Sequence, residues 1–264
     1  MAATSATSWR DGLRFAFGTL TVFPVQVTRW DREAARGGML LAPLAGLAVG
    51  LCAGAVGALL VLTGASALVA AVAAVAVPAV LTRGLHLDGL ADTADALGSG
   101  KPAEEALRIM KQSDIGPFGV ITLVLVLLGQ VAALAQAFGG SWQRGLLTAV
   151  VAAAVARLAM TLAAVRGVPA ARPEGLGAAV AGVVPKAWAS AATVVVMVAA
   201  AGAGALVGPG DSLRALLAVV AAEAATDVLL RLCRRRFGGV TGDVFGCLAE
   251  TAATTALVVL CIGG

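Results

Sequence analysis

Residues 39–63 read MLLAPLAGLAVGLCAGAVGALLVLT, without one charged side chain. Wound as an α-helix at about 1.5 Å per residue, such a stretch outreaches the roughly 30 Å hydrocarbon core of a bilayer. Six further stretches are long enough or nearly so: 66–82, 118–138, 145–165, 187–208, 212–230 and 244–262. The second is the shortest and contains Pro78. The expected fold is all-α, a polytopic integral membrane protein of about seven transmembrane helices. The simplest organisation is one transmembrane helical domain over 1–264, since no internal repeat is visible.

Composition agrees. Hydrophobic residues make up 59% of the chain and charged residues 13%, and mean hydropathy is +0.94. Soluble domains carry roughly 25% charged residues. Abundant Gly and Ala along the spans allow helices to approach closely. The N-terminus shows no compact apolar core followed by a small-residue cleavage site, so no cleavable signal is expected. The four cysteines lack metal-ligand spacing and are expected to fill the core.

Lysine and arginine set the expected orientation. Of 19 such residues, 16 fall in the first 38 positions and in the loops 83–117, 166–186 and 231–243. Arg144 and Arg214 fall on the opposite side and Arg157 inside a span. The positive-inside rule makes the basic side cytoplasmic, with the N-terminus inside and Gly264 outside. The net charge of +4 then records orientation in a lipid bilayer, with some attraction for phosphate, and calls for no nucleic acid.

The chemistry gathers in RGLHLDGLADTADALG, residues 83–98. A helix brings Asp88, Asp92 and Asp95 within about 40° of one line. Three of only fifteen carboxylates on one stripe repel one another and suit an oxygen-seeking cation such as Mg²⁺. His86 lies about 160° from Asp88 if the helix runs through it, or is free to face the same site if Asp88 starts the helix. Further along, Lys111, Ser113 and Asp114 offer a base, a hydroxyl and a carboxylate to a phosphate or metal. Arg172, between prolines in the segment 169–173, is held on a stiff backbone suited to a bidentate phosphate contact. Asp243 sits where the last span begins, with Glu250 about 10 Å deeper. Glu223, Asp227 and Glu250 are ionisable groups within spans, and Arg157 is expected to pair with Glu223 or Asp227.

These stretches resemble the cobalamin synthase family. The 83–98 segment is similar to its H-L-D-G-x-x-D-x-x-D motif. PLAGLAVG at 43–50, IMKQSDIGPFG at 109–119, PAARPEGLG at 169–177 and GGVTGD at 238–243 resemble further family motifs in order along most of the chain. Two positions depart: Gln112 stands where the family often has Asp, and Ala253 where a Glu is often found. The resemblance implies a multi-pass inner-membrane transferase, its N-terminus and active site cytoplasmic. Its substrates would be adenosylcobinamide-GDP and α-ribazole or α-ribazole 5′-phosphate, with GMP released and Mg²⁺ as cofactor. By that logic Asp88, Asp92, Asp95 and Asp243 are the expected metal ligands. Lys111, Ser113, Arg172 and Thr241 are expected to bind substrate, with Lys111 and Arg172 neutralising phosphate and His86 accepting a proton. Oligomeric state is left open. A lipid phosphotransferase or prenyltransferase and a cation-coupled transporter are the rival readings, the latter using Glu223, Asp227 and Glu250.

Overall fold

The computed structural model describes residues 8–262, and within them the chain is helical, with only two isolated backbone bridges. The C-terminal Gly264 lies outside the described residues. Eleven helices follow in order: α1 (Trp9–Leu20), α2 (Arg32–Leu62), α3 (Ala67–Leu81), α4 (Leu85–Gly98), α5 (Ala103–Ile109), α6 (Pro117–Gly140), α7 (Trp142–Ala163), α8 (Gly175–Val180), α9 (Lys186–Ala205), α10 (Asp211–Phe237) and α11 (Gly242–Cys261).

All seven stretches expected to span are helical. Five helices, α2, α6, α7, α9 and α11, are long and apolar enough to cross a membrane, and α3 with α4 make a sixth if the bent pair is one span. The shortfall from seven has two causes. α3 has only 15 residues, about 22 Å of rise. α10 has 27 residues but carries Arg214, Glu223, Asp227 and Arg231 along its length. Lipid-facing surfaces are visible as exposed apolar side chains, including Ile121, Leu125 and Leu128 on α6 and Val194, Val195 and Val198 on α9.

α7 is the axle. Its apolar window is 78% buried, against 22% for α6 and 17% for α9. α2 meets it along Gly46, Gly50 and Gly54, and a Cβ added at Gly46 would stand 2.3 Å from the Ala153 carbonyl oxygen. Any side chain there would force the helices apart, so the small-residue stripe fixes their separation. Thr161 donates to the Met39 carbonyl at 2.6 Å and ties the same pair near the basic end.

Helix ends are capped locally. Ser8 and Asp11 form a capping box at α1, Asp31 accepts from Glu33 and Ala34 at α2, and Thr241 accepts from Val244 at α11. Between α3 and α4 the chain turns through 88°, with Arg83 and Gly84 both at positive φ. α4 thus leaves the direction of the spans and lies across the basic end. It begins at Leu85, three residues before Asp88, so His86 belongs to the same helix. Cys233 and Cys247 are buried as expected of core fillers, whereas Cys52 is exposed.

Candidate active site

Two close helix crossings and one backbone pairing build the site. α4 lies on α11 where each has glycine: a Cβ on Gly89 would come 2.5 Å from the Asp243 carbonyl oxygen, and one on Gly246 3.1 Å from His86. The helices bearing Asp88 and Asp243, 155 positions apart, are therefore direct neighbours. Val240 donates to the Pro169 carbonyl at 2.9 Å, and Ala171 donates back to the Val240 carbonyl at 2.9 Å. That exchange joins the segment carrying Arg172 to the one carrying Thr241 and Asp243. Gly177 of α8 then rests against the Thr241–Gly242 backbone.

Within this frame Thr241 donates to the Asp243 carboxylate at 3.1 Å. Arg172 approaches the same carboxylate at 3.7 Å and also donates to the Leu107 carbonyl at the end of α5. Its guanidinium is half-buried and fixed at two points, with further N–H groups left over. On α4, Asp88 is exposed and Asp92 half-buried. Neither carboxylate forms a hydrogen bond or ion pair among the described residues. Burial, followed by the charges of Asp88, Asp243 and Asp95, raises the Asp92 carboxyl above its ordinary value, while Arg172 opposes the shift. The four carboxylates and one arginine thus share one electrostatic neighbourhood.

Asp95 is tied differently. Its carboxylate accepts the Gly116 N–H at 2.7 Å and the Gly119 N–H at 2.9 Å. Gly116 provides no side-chain cap for α6, and Asp95 supplies one from 21 residues earlier. A Cβ at either glycine would sit 2.4 Å from an Asp95 oxygen. Each oxygen retains a lone pair beyond its N–H, so the capping role leaves coordination open. The capping itself was missed in sequence, although the Gly116/Gly119 spacing was its signal.

Two cavities flank the α4–α11 crossing. One, about 260 Å³, is lined by His86, Arg172, Glu174, Thr241 and Asp243. The other, about 250 Å³, is lined by Asp92, Asp95, Ser99, Gln112 and Asp114. His86 is buried, its Nε2 lacks a partner among the described residues, and burial and the Arg157 charge hold it well below its ordinary pKa. Lys111 and Ser113 are exposed in the turn between α5 and α6 and line neither cavity.

The donor set is chemically suited to Mg²⁺: four carboxylates from two segments, α4 and the start of α11, two of them without side-chain partners among the described residues, and excess negative charge. Among the described residues, no three His, Cys, Asp or Glu side chains are already gathered into a metal cage. The spans' own acidic groups do not converge on a path. Asp227 is exposed and pairs with Arg231, while Glu250 meets Gln130 at 2.9 Å. Arg157 lines a small cavity with Glu250 and Gln130, which corrects the expected pairing with Glu223 or Asp227. On α10 those two carboxylates sit away from that cavity.

The cobalamin-5-phosphate synthase family profile matches residues 12–261. The chain belongs to this family. It is 47% identical over 259 residues to an adenosylcobinamide-GDP ribazoletransferase of Frankia casuarinae, covering 93% of this chain and 92% of the relative. Enzymes of the same name from a Nocardioides species and from Bradyrhizobium diazoefficiens are 39% and 37% identical, covering 94% of this chain and 97% and 92% of their own lengths. No solved structure matches the chain. The 83–98, 169–177 and 238–243 segments that meet here all lie within the matched range.

Proposed function

We propose that this chain is an adenosylcobinamide-GDP ribazoletransferase, joining adenosylcobinamide phosphate to α-ribazole or its 5′-phosphate with release of GMP. The observation that carries the reading is the shared site itself. Arg172, Asp243 and the α4 carboxylates come from three distant segments and meet at the basic end of the bundle. In the reaction a ribazole hydroxyl attacks the cobinamide-bearing phosphorus, the P–O bond to GMP breaks, and the hydroxyl proton must leave.

Asp88, Asp92 and Asp243 would hold Mg²⁺, with Asp95 supplying a remaining lone pair. The metal would supply charge neutralisation at the diphosphate oxygens. Arg172, anchored by Leu107 and Asp243, presents its free N–H groups to a phosphate with little orientational entropy left to lose. Thr241 orients Asp243. His86, whose Nε2 has no partner among the described residues and which lines the 260 Å³ cavity, would accept the hydroxyl proton. Lys111, on the exposed turn beside the second cavity, meets the nucleotide phosphates only if that turn closes over them.

We place the basic end in the cytoplasm, because 16 of 19 Lys and Arg lie there, and the chain in the inner membrane. The testing experiment follows GMP release from adenosylcobinamide-GDP by purified protein, with α-ribazole and α-ribazole 5′-phosphate as separate acceptors and Mg²⁺ varied. Acceptor- and Mg²⁺-dependent GMP release is expected. Its absence with both acceptors would overturn the reading.

A further inference from the structure

A cavity larger than either at the α4–α11 crossing lies outside this site. It measures about 770 Å³, opens between α1, α2 and α9 at the basic end, and has two distinct zones. Its depth is apolar, formed by Leu40 and Leu44 of α2 and Ala192, Val195 and Val196 of α9. Its lip carries Ser8, Trp9, Arg36 and Trp188. Trp9 is 67% and Trp188 63% exposed, as befits amphipathic rings at the boundary between head groups and hydrocarbon.

Arg36 decides the occupant. It sits one turn inside α2, lines the groove, and forms no hydrogen bond or ion pair among the described residues. Glu33, the acidic residue on the same lip, is engaged by Arg29 at 4.0 Å. Arg10 lies 5.6 Å from the Trp9 ring centroid, and Lys186 begins α9 two positions before Trp188. The lip is therefore cationic, the floor is continuous with lipid-facing side chains such as Leu44 and Val195, and the volume falls within the roughly 300–1,000 Å³ of pockets that enclose one molecule.

We propose that this groove binds a single anionic glycerophospholipid, its phosphate on Arg36 between Trp9 and Trp188 and an acyl chain along α2 and α9. The bound lipid would cement the short α1 helix to the first span. The site is independent of the transferase chemistry, since none of its residues lines the two cavities at the α4–α11 crossing.

The test uses the full-length protein in detergent micelles, with Trp30→Phe and Trp142→Phe so that Trp9 and Trp188 report alone. Dibrominated phosphatidylglycerol and dibrominated phosphatidylcholine are titrated as fluorescence quenchers. Phosphatidylglycerol is expected to quench at an about fivefold lower concentration, the order that one interfacial cationic side chain supplies. Arg36→Gln should abolish that preference and Arg36→Lys largely keep it. Equal quenching by both lipids, or an unchanged preference in Arg36→Gln, overturns the proposal. So does absent quenching with cross-linking of two copies through the groove, which would make a second chain the occupant. Native mass spectrometry of the otherwise unsubstituted protein gives a second reading: a phospholipid adduct that Arg36→Gln loses supports the site, and equal retention contradicts it.

Discussion

Replacing Asp95 by alanine separates the part of the acidic stripe that holds the fold from the part left for chemistry. Asp95 is 7% exposed, and its two oxygens accept the N–H groups of Gly116 and Gly119 at 2.7 and 2.9 Å. Leaving a buried backbone donor unpaired costs about 1–3 kcal/mol, which applies in full to the buried Gly119 N–H, and the half-buried Gly116 N–H adds a smaller loss. Asparagine keeps one acceptor oxygen but turns an amide donor towards the other N–H, so Asp95→Asn should fall at about half the combined loss or somewhat beyond. Asp88→Ala and Asp92→Ala break no hydrogen bond and remove charge from a crowded neighbourhood, so they should leave the metal-free protein as stable as before or slightly more so. The assay is thermal unfolding in detergent, followed by a thiol-reactive dye that reports exposure of Cys233 and Cys247, both buried in the folded chain. The reasoning predicts midpoints ordered Asp92→Ala and Asp88→Ala at or above the parent, then Asp95→Asn, then Asp95→Ala. Equal midpoints for Asp95→Ala and Asp88→Ala would refute the capping account.

Other expectations follow from the same geometry. Asp88→Asn and Asp92→Asn should each lower GMP release at least tenfold, with partial recovery at raised Mg²⁺. Glu104→Gln, an exposed change that breaks only a surface pair with Arg108, should leave release near parental levels. Arg172→Lys should resemble Arg172→Ala, with KM for the conjugate raised about tenfold or more, because an ammonium cannot reach the Leu107 carbonyl, Asp243 and a phosphate in one plane. Asp92 has its folded pKa raised, so the folded, metal-free protein holds the proton more tightly than the unfolded chain. Its stability should fall as pH rises from the ordinary carboxylate range towards neutrality, and Asp92→Asn should flatten that slope; a metal-free protein that gains stability over this window would contradict the burial and crowding of Asp92.

Much of the architecture was legible because hydrocarbon thickness imposes long apolar runs, and all seven runs are helical. The count of spans blurred where physics is ambiguous. α3 is short, and α10 mixes carboxylates and arginines into a helix long enough to cross. The crossing of α4 with α11 had a sequence signal in Gly89 and Gly246, but glycine does not name its partner. The 83–98 segment announced chemistry through its spacing, and it could not divide the stripe into Asp95, bound to backbone, and Asp88 and Asp92, left without partners. That division depends on Gly116 and Gly119 arriving from across a loop. Arg157 was assigned to Glu223 or Asp227 because all three share a depth. Depth leaves rotation about the helix axis undetermined, and rotation sets Arg157 beside Glu250 and Gln130.

The claim that α4 and the start of α11 form one cation site is open to direct measurement with Mn²⁺ as a paramagnetic substitute. Electron paramagnetic resonance would follow its binding to the purified protein in the presence of adenosylcobinamide-GDP. The account predicts that Asp92→Asn and Asp243→Asn each weaken Mn²⁺ binding about tenfold or more, and that the double substitution weakens it by less than the product, because both carboxylates serve the same ion. Parental Mn²⁺ affinity in Asp243→Asn, or two effects that simply multiply, would contradict it.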